Sequence, residues 1–244
     1  MKKNKNNLIP LYRRIILKIS GEVLKDSYEY GIDLTLLNRI VKEIKSLMEL
    51  GIEVGIVVGG GNLIRGASVK KIGISNITSD YMGMLATIIN GLVITDTITN
   101  YGMKTYLLSA IAVSSICKQY NVEQAINLLS NQYVAVFSGG IGHPFFTTDT
   151  TACLRGIEVK ADIILKATKV NGVYSSDPKK HQNAIMYKYI KYQDALIESL
   201  GIMDQTALVL ARDHNLPICV FNMYKSGALH RIVMGEQEGT LIAT

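Results

Sequence analysis

The sequence predicts an α/β protein in which a mostly parallel sheet carries helices on both faces. Short apolar runs alternate with longer segments whose apolar residues recur at steps of three and four, the spacing of one helix face. Glycines follow several of the apolar runs, where strand-to-helix turns are expected. The composition, 48% hydrophobic and 19% charged residues, is typical of a well-packed globular enzyme. Strands that alternate with helices favour parallel pairing with helices on both faces.

The first half of the chain predicts three strands and two helices. Residues 13–19 form an isoleucine- and leucine-rich strand that ends at Gly21. Asp33 stands at the N-cap of a helix, and Gly51 stands where a left-handed C-terminal cap belongs. The remaining predicted elements are a strand at 52–58, a helix from about Ser79 to Asn100 and a strand at 103–108.

The second half predicts further strand and helix units and one irregular segment. The predicted elements are a short helix at 122–129, a strand at 133–137, a helix from Thr148 to near Gly156, a strand beginning at 162–165, an apolar strand at 217–221 between two helices, and a final edge strand at 240–242. The polar, tyrosine-rich segment 174–192, with a turn at Asp177-Pro178, is interpreted as a loop or small hairpin over one end of the sheet.

Composition and charge exclude several classes of protein. The net charge of +6 comes from scattered lysines, whereas a nucleic-acid-binding face needs a basic stripe. The three isolated cysteines argue against a disulfide framework and a zinc site. We expect no membrane span, because no apolar run reaches about 18 residues, and no secretory signal. The expected organisation is a polar tail at 1–12 and one cytoplasmic domain at 13–244.

Two of the four glycine-containing strand ends carry cations. Lys18 lies just before the Gly21 turn, where its charge could neutralise phosphoryl oxygens, although a surface lysine is the simpler interpretation. The triplet Gly59–Gly61 could bring backbone N–H groups to an anion, and Arg65 could clamp a phosphate. A tight turn remains the alternative. The spacing fits neither a P-loop nor the dinucleotide fingerprint, which needs a glycine where Ile64 stands.

The other two ends carry acids and aromatic residues. The loop after the strand at 133–137 holds three glycines, then proline, two phenylalanines and two threonines before Asp149. Asp149 could be a partner for the helix dipole or an acid that orients Lys18. In the fourth end, Tyr174 could lie against a purine and Asp177 could bind ribose, or Asn171-Gly172 could simply form a hairpin turn. Together the four ends supply the positioning and charge neutralisation that phosphoryl transfer needs.

From about Arg13 to Ile242 the chain resembles the bacterial uridylate kinases of the amino-acid kinase superfamily. The matching segments are Leu17-Lys-Ile-Ser-Gly-Glu22, Val58-Gly-Gly-Gly-Asn-Leu-Ile-Arg-Gly66, Asp80-Tyr-Met-Gly-Met-Leu-Ala-Thr87, Pro144-Phe-Phe-Thr-Thr-Asp149, Lys166-Ala-Thr-Lys-Val-Asn-Gly-Val173, Arg212-Asp-His-Asn-Leu-Pro217 and Phe221-Asn-Met223. The lysine and glycine segments occur across the superfamily. The segments that begin at Asp80 and Pro144 are specific to uridylate kinases.

The resemblance implies a three-layer α/β/α sandwich, a homohexamer and transfer of a phosphoryl group from ATP to UMP with Mg2+, held mainly by the ATP phosphates. A UMP lobe would span about 13–160 and an ATP lobe about 161–244. The implied ATP contacts are Lys18, Ile19, Ser20, Gly21, Gly61, Arg65, Thr168, Tyr174 and Asp177. The implied UMP contacts are Gly60, Asp80, Ile141, Gly142, His143, Pro144, Phe145, Phe146, Thr147 and Thr148. The implied catalytic residues are Lys18, Arg65, Asp149, which would hold Lys18, and Asp204, which would organise the metal or the lysine.

Two departures from the family pattern bear on these expectations. Ile141 and His143 stand where the family usually has threonine and asparagine, so side-chain contacts to UMP differ there. GTP-activated relatives often carry basic residues at positions that hold Thr95, Thr99, Tyr106 and Tyr133 here. We therefore expect weak or absent activation by GTP. The segment from Met82 to Asn100 would supply much of the subunit contact.

Two other functions remain open at the level of sequence. A related kinase of a carboxylate or carbamate would need cationic groups for its substrate, and the aromatic loop argues against it. A pyrimidine-sensing regulator that binds DNA would need a basic face or a separate DNA-binding module, and the scattered charge argues against that.

Overall fold

The strands of the described residues form one nine-stranded sheet. The structure is a computed structural model, and it describes residues 9–25, 30–64, 73–178, 180–181, 183–198, 200–201 and 203–244. The strands are β1 (Arg14–Ile19), β2 (Glu53–Val58), β3 (Thr105–Ser109), β4 (Lys118–Gln119), β5 (Val134–Ser138), β6 (Ile163–Thr168), β7 (Tyr189–Lys191), β8 (Ile218–Asn222) and β9 (Thr240–Ala243). Their order in the sheet is β4-β3-β5-β2-β1-β6-β8-β9-β7.

The described helices cover both faces of the sheet. They are α1 (Gly21–Leu24), α2 (Leu34–Glu49), α3 (Asn76–Asn100), α4 (Val122–Ser130), α5 (Thr148–Glu158), α6 (Tyr192–Ile197), α7 (Gln205–Asp213) and α8 (Ala228–Val233). Every strand pair is parallel except β8 with β9. The predicted α/β class, with a mostly parallel sheet between two helical layers, is confirmed.

Two hydrophobic clusters separate the two faces. Successive residues of a strand point to opposite faces, and in β1 Ile15, Leu17 and Ile19 join one cluster with α2 and α8, whereas Ile16 joins the other with α5 and α7. The helices that follow β1 and β6 therefore pack on opposite faces of neighbouring strands. Such a topological switch point opens a crevice outside the carboxyl ends of the strands, where α/β proteins bind ligands.

The end of the sheet differs from the prediction. The strand at 240–242 is present as β9 but is not the edge, because β7 pairs with it on the outer side. Strands β4 and β7 were not predicted, since two or three residues are too few to show an alternating pattern. The segment interpreted as a loop or small hairpin contains an antiparallel bridge from Tyr174 to Met186 and ends in β7.

Helix α3 is long and apolar enough to span a membrane by length and composition alone, which the sequence prediction did not anticipate. In its most apolar window, 44% of the residues are buried inside the protein. Its inner face carries the buried polar side chains Ser79, Thr87 and Asn90. A buried core helix of a soluble protein passes the same test, so this single helix is weak evidence for a membrane span.

Candidate active site

Two lysines lie side by side at the switch point. Lys18 in β1 and Lys166 in β6 are direct partners in the parallel register. Because Ile16 and Ile164 point to the face covered by α5 and α7, the lysines two residues further along point to the same face. The side chain of Lys18 is 7% exposed and that of Lys166 is 12% exposed. Buried ammonium groups need a compensating anion.

Asp149 supplies that anion. Its Oδ1 lies 2.7 Å from Lys18 Nζ, and its Oδ2 lies 2.7 Å from Lys166 Nζ. Burial raises the pKa of the Asp149 carboxyl, but the two lysines outweigh burial and hold this pKa below its ordinary value. Burial lowers the pKa of Lys166, and Asp149 opposes that shift. We call Lys18, Asp149 and Lys166 the charge array.

Threonines place Asp149 at the array. Thr147 is the N-cap of α5, and its Oγ1 accepts a hydrogen bond from the Asp149 N–H at 3.0 Å. Asp149 thus lies in the first turn of the helix, where the helix dipole also stabilises a carboxylate. The two interpretations that the sequence left open, dipole partner and lysine orienter, are therefore compatible in this geometry.

Asp204 joins α7 to the loop that precedes α5. It is the N-cap of α7 and accepts from the Ala207 N–H at 2.8 Å. Its carboxylate also accepts from the hydroxyls of Thr150, at 2.9 and 3.1 Å, and Thr147. The sequence predicted an acid that organises the metal or Lys18. The structure places Asp204 on two threonines and a helix end, which fits a positioning residue.

Glycines allow the turns after β1 and β2 to touch. A Cβ on Gly21 would lie 2.5 Å from the Gly61 nitrogen, and a Cβ on Gly59 would lie 2.9 Å from the Gly21 nitrogen. A Cβ on Gly60 would lie 2.7 Å from the Gly83 oxygen of α3. A larger residue at Gly21 or Gly59 would push the two turns apart, and one at Gly60 would push its turn away from α3. For Gly61, by contrast, the nearest atom among the described residues is Glu22 Oε1, 4.0 Å from the Cβ position.

A cavity of 430 Å³ lies on the β2 side of the charge array. It is lined by Gly60, Gly61, Ile64, Ser79, Asp80, Gly83, Met84, Thr87, Gly140, His143, Phe146, Thr147 and Thr148. Asp80 Oδ2 accepts a hydrogen bond from the Phe145 N–H at 2.8 Å, which holds the loop against α3. Phe145 has a left-handed backbone, with φ at 74°. We call this the first cavity.

A second cavity, of 550 Å³, lies on the β6 side. Its lining includes Lys166, Thr168, Val173, Tyr174, Asp177 and Val220. Thr168 Oγ1 lies at hydrogen-bond distance from the carbonyl oxygens of Val170 and Phe221, at 2.8 and 2.9 Å, and so fixes the turn after β6. Lys166 borders this cavity while it pairs with Asp149, so the charge array adjoins the second cavity directly.

The structure distributes the other predicted site residues unevenly. Ile19, Ser20 and Gly21 lie at the carboxyl end of β1, where Ser20 caps α1. Gly61, expected at ATP, lines the first cavity. Of the loop residues expected at UMP, four do not line this cavity, namely Ile141, Gly142, Pro144 and Phe145, and Phe145 is 71% exposed. Arg65 lies outside the described residues.

Sequence reasoning assigned no role to Lys166 or Thr150. Lys166 lies inside a segment that the chain shares with the uridylate kinases, and its register with Lys18 makes it half of the cationic pair. The available signal was its place two residues before Thr168 in a strand parallel to β1. Thr150 carries no comparable signal, since its contact with Asp204 spans 54 residues.

The described acids do not form a ready cage for a metal. Among the residues that the structure describes, no group of three or more His, Cys, Asp and Glu side chains could hold an ion. Mg2+ often uses few protein ligands and several phosphate oxygens and waters.

Fold and site together define a phosphotransferase of the α/β type, with two cavities flanking buried cations at a switch point. The model of the amino acid kinase family matches residues 13–222. The chain belongs to the amino acid kinase family, and within it to the uridylate kinases, as the following relatives show. It is 54% identical over 233 residues to the uridylate kinase of Blochmanniella pennsylvanica, covering 96% of this chain and 97% of that one.

Further relatives agree. The uridylate kinase of Pectobacterium atrosepticum is 54% identical over 237 residues, covering 97% of this chain and 98% of that one. The crystal structure of UMP kinase from Bacillus anthracis superposes with a TM-score of 0.93 at 40% identity, covering 95% and 96% of the two chains. The UMP kinase from Ureaplasma parvum gives 0.90 at 35% identity, covering 95% and 99%.

Proposed function

We propose that this enzyme transfers the γ-phosphoryl group of ATP to UMP, giving UDP and ADP in pyrimidine nucleotide biosynthesis. The observation that carries the proposal is the charge array, which lies at the switch point between the two cavities. An oxygen of the UMP phosphate forms the new bond to the γ-phosphorus, and the bond to the β–γ bridging oxygen breaks as ADP leaves. A phosphate monoester is largely ionised near pH 7, so the nucleophile needs no general base.

In this proposal the charge array neutralises the moving phosphoryl group. Two fixed ammonium groups would offset the charge on its equatorial oxygens, and a preorganised charge lowers the barrier without reorganisation. Asp149 would keep both lysines aligned rather than act as a base, because both its oxygens face ammonium groups. Mg2+ would arrive on the ATP phosphates and add charge neutralisation there.

The two cavities would take one nucleotide each. UMP would lie in the first cavity, with its phosphate toward Gly60, its ribose on Asp80 and its base beside His143 and Phe146. ATP would lie in the second cavity, near Thr168, Tyr174 and Asp177. This assigns residues 13–160 to the UMP lobe and 161–244 to the ATP lobe, although a single sheet runs through both.

An ADP-release assay with a panel of acceptors tests the proposal. The acceptors are UMP, CMP, acetylglutamate and aspartate, each with ATP and Mg2+. We expect turnover with UMP far above the others. Phosphorylation of an amino acid without phosphorylation of UMP would show instead that the protein is the alternative considered above, a kinase of a carboxylate substrate. Absence of turnover with every acceptor, together with salt-dependent binding of DNA, would favour the other alternative, a pyrimidine-sensing regulator that binds DNA.

Assembly and location are further parts of the proposal. One face of α3 exposes large apolar side chains at roughly helical spacing, namely Ile77, Tyr81, Leu85, Ile89 and Leu92. We propose that this face contacts a second copy in a cytoplasmic homohexamer, because a monomer rarely leaves so continuous an apolar stripe in water. Light scattering coupled to gel filtration should give the mass of six chains for the native protein. The Leu85→Glu variant should give a lower mass.

Few cationic side chains line the two cavities beside the positions where GTP-activated relatives carry basic residues. Thr95 and Tyr106 line a cavity of 330 Å³, and Tyr106 and Tyr133 line one of 410 Å³. Lys104 is one of the lysines that line these cavities, and its Nζ lies over the Tyr133 ring, 5.5 Å from the ring centre. A triphosphate needs several cationic partners. We therefore expect GTP to leave the rate almost unchanged, and a several-fold rise in rate would contradict this.

A further inference from the structure

Two buried asparagines tie helix α3 to the glycine turn after β2. Asn90 of α3 is fully buried, and Asn62, which follows the glycine triplet, is 2% exposed. The Asn90 amide donates to Asn62 Oδ1 at 2.6 Å and to the Gly59 carbonyl at 2.7 Å. The Asn62 amide donates to Asn90 Oδ1 at 3.0 Å and to the Gly31 carbonyl at 2.8 Å.

These bonds use every N–H of both side chains. Each amide nitrogen has two hydrogens, and each donates one to the other asparagine and one to a backbone carbonyl. Reversing either amide would place donor against donor and acceptor against acceptor, so only one arrangement of the pair is satisfied. Because both side chains are buried, loss of one removes the hydrogen bonds between the two amides and one bond to a backbone carbonyl, which is costly.

The pair acts on the backbone that borders the first cavity. Gly59, whose carbonyl it holds, precedes Gly60 and Gly61, which line the cavity. Asn62 follows them, so hydrogen bonds of the pair hold the triplet at both ends. Between these points Gly60 lies directly against Gly83 and Ala86 of α3. The helix therefore sets the position of a turn whose N–H groups have no side chain to guide them.

We infer that Asn62 and Asn90 are positioning residues that hold the glycine triplet in place to receive the phosphate of the acceptor nucleotide. This rests on the proposed function, since it takes the first cavity as the acceptor site. Neither asparagine lines the cavity, so their effect on the reaction passes through the Gly59–Gly61 backbone. A triplet that has lost this support would present its N–H groups in several positions, and misplacement of that kind weakens binding and catalysis.

The test is an Asn90→Ala variant, studied by kinetics and by hydrogen–deuterium exchange of a peptide spanning residues 59–64. We expect the KM for UMP to rise by about tenfold, the KM for ATP to change less, and the triplet amides to exchange faster. The matched control is Tyr192→Phe, which removes a buried hydroxyl that donates to the Leu216 carbonyl. It should lower the melting temperature without changing either KM.

The two readouts separate positioning from stability. A merely structural role would reduce the folded fraction, which lowers apparent kcat but leaves KM and the exchange of the triplet at their native values. That result with Asn90→Ala would overturn the inference. If Asn90→Ala does not fold, Asn62→Ala is measured in the same way, and its KM and exchange rates test the inference instead. If the native enzyme fails to phosphorylate UMP, the proposed function fails, whereas exchange at the triplet still tests the asparagine pair.

Discussion

The charge array and the loop at 139–147 lie next to each other but differ in construction. Lys18 and Lys166 lie on adjacent central strands, and Asp149, in the first turn of α5, is paired with both. The loop before α5 has left-handed backbone at Gly139, Gly140, Gly142 and Phe145, and its side chains at His143 and Phe146 are exposed. One hydrogen bond, from Phe145 to Asp80, joins its tip to α3.

This contrast suggests a division of labour within the proposed mechanism. Groups that must meet a transferring phosphoryl group need fixed positions, which strands and helix ends provide. A loop that receives a nucleotide needs shape and adaptability, and loops on a rigid scaffold provide these. Damage to the array should therefore affect stability and turnover, whereas damage to the loop should affect KM.

Asp149→Asn should have the largest effect, because it removes the carboxylate that lies 2.7 Å from both buried ammonium groups. Breaking a buried ion pair costs about 3–5 kcal/mol, and we expect a loss of that order together with most of the activity. Since the pKa of Asp149 lies below its ordinary value of 3.8, its contribution to stability is present above that pH and is lost as the pH falls through the folded-state pKa.

The pH dependence gives this prediction its control. The gap in melting temperature between the native enzyme and Asp149→Asn should be widest near neutral pH and should narrow in the acid range below 3.8. Calorimetry at a series of pH values measures it. A gap that stays constant on acidification would mean that the Asp149 charge does not stabilise the fold.

Lys18→Ala should lower kcat by about 10²-fold, the cost of removing one preorganised charge from a developing anion. Binding of UMP should change less, because the first cavity keeps its lining. Lys45→Ala is the matched control, since Lys45 donates to the Tyr101 carbonyl rather than to Asp149. Near-normal turnover in Lys18→Ala would remove Lys18 from the mechanism and leave Lys166 as the candidate.

Asp80→Ala should act on the loop and leave the array intact. It removes the acceptor for the Phe145 N–H and the proposed partner of the ribose. We expect the KM for UMP to rise by about tenfold, as for loss of a charge-assisted hydrogen bond, with the KM for ATP unchanged. Steady-state kinetics with each nucleotide varied in turn measures both values. An equal rise in both would mean that Asp80 supports the whole site.

The sequence paired Lys18 with Asp149 but gave Lys166 no role, for physical reasons. Apolar runs and helix caps are local signals, so β1, β5 and the start of α5 were placed within a residue or two. The place of Lys166 follows from the register of β1 with β6. The place of Asp204 follows from contacts to Thr147 and Thr150 across more than 50 residues. Such contacts depend on tertiary packing, which no local pattern encodes. The same holds for the loop, where Phe146 lines the first cavity and the neighbouring Phe145 does not.

Phe145 and Phe146 allow the smallest and sharpest comparison. The sequence assigned both to UMP, but Phe146 lines the first cavity and Phe145 does not. Phe145→Gly removes a left-handed strain of about 1–2 kcal/mol and adds about 0.5–1 kcal/mol of chain entropy to the unfolded state. The net change should be a gain in stability of between zero and about 1.5 kcal/mol, with the KM for UMP unchanged because the N–H to Asp80 remains. Phe146→Ala should instead raise this KM by a few-fold, through lost contact with the base. Equal KM values for the two variants would mean that backbone and Asp80 alone shape the acceptor site, and that neither ring reads the nucleotide.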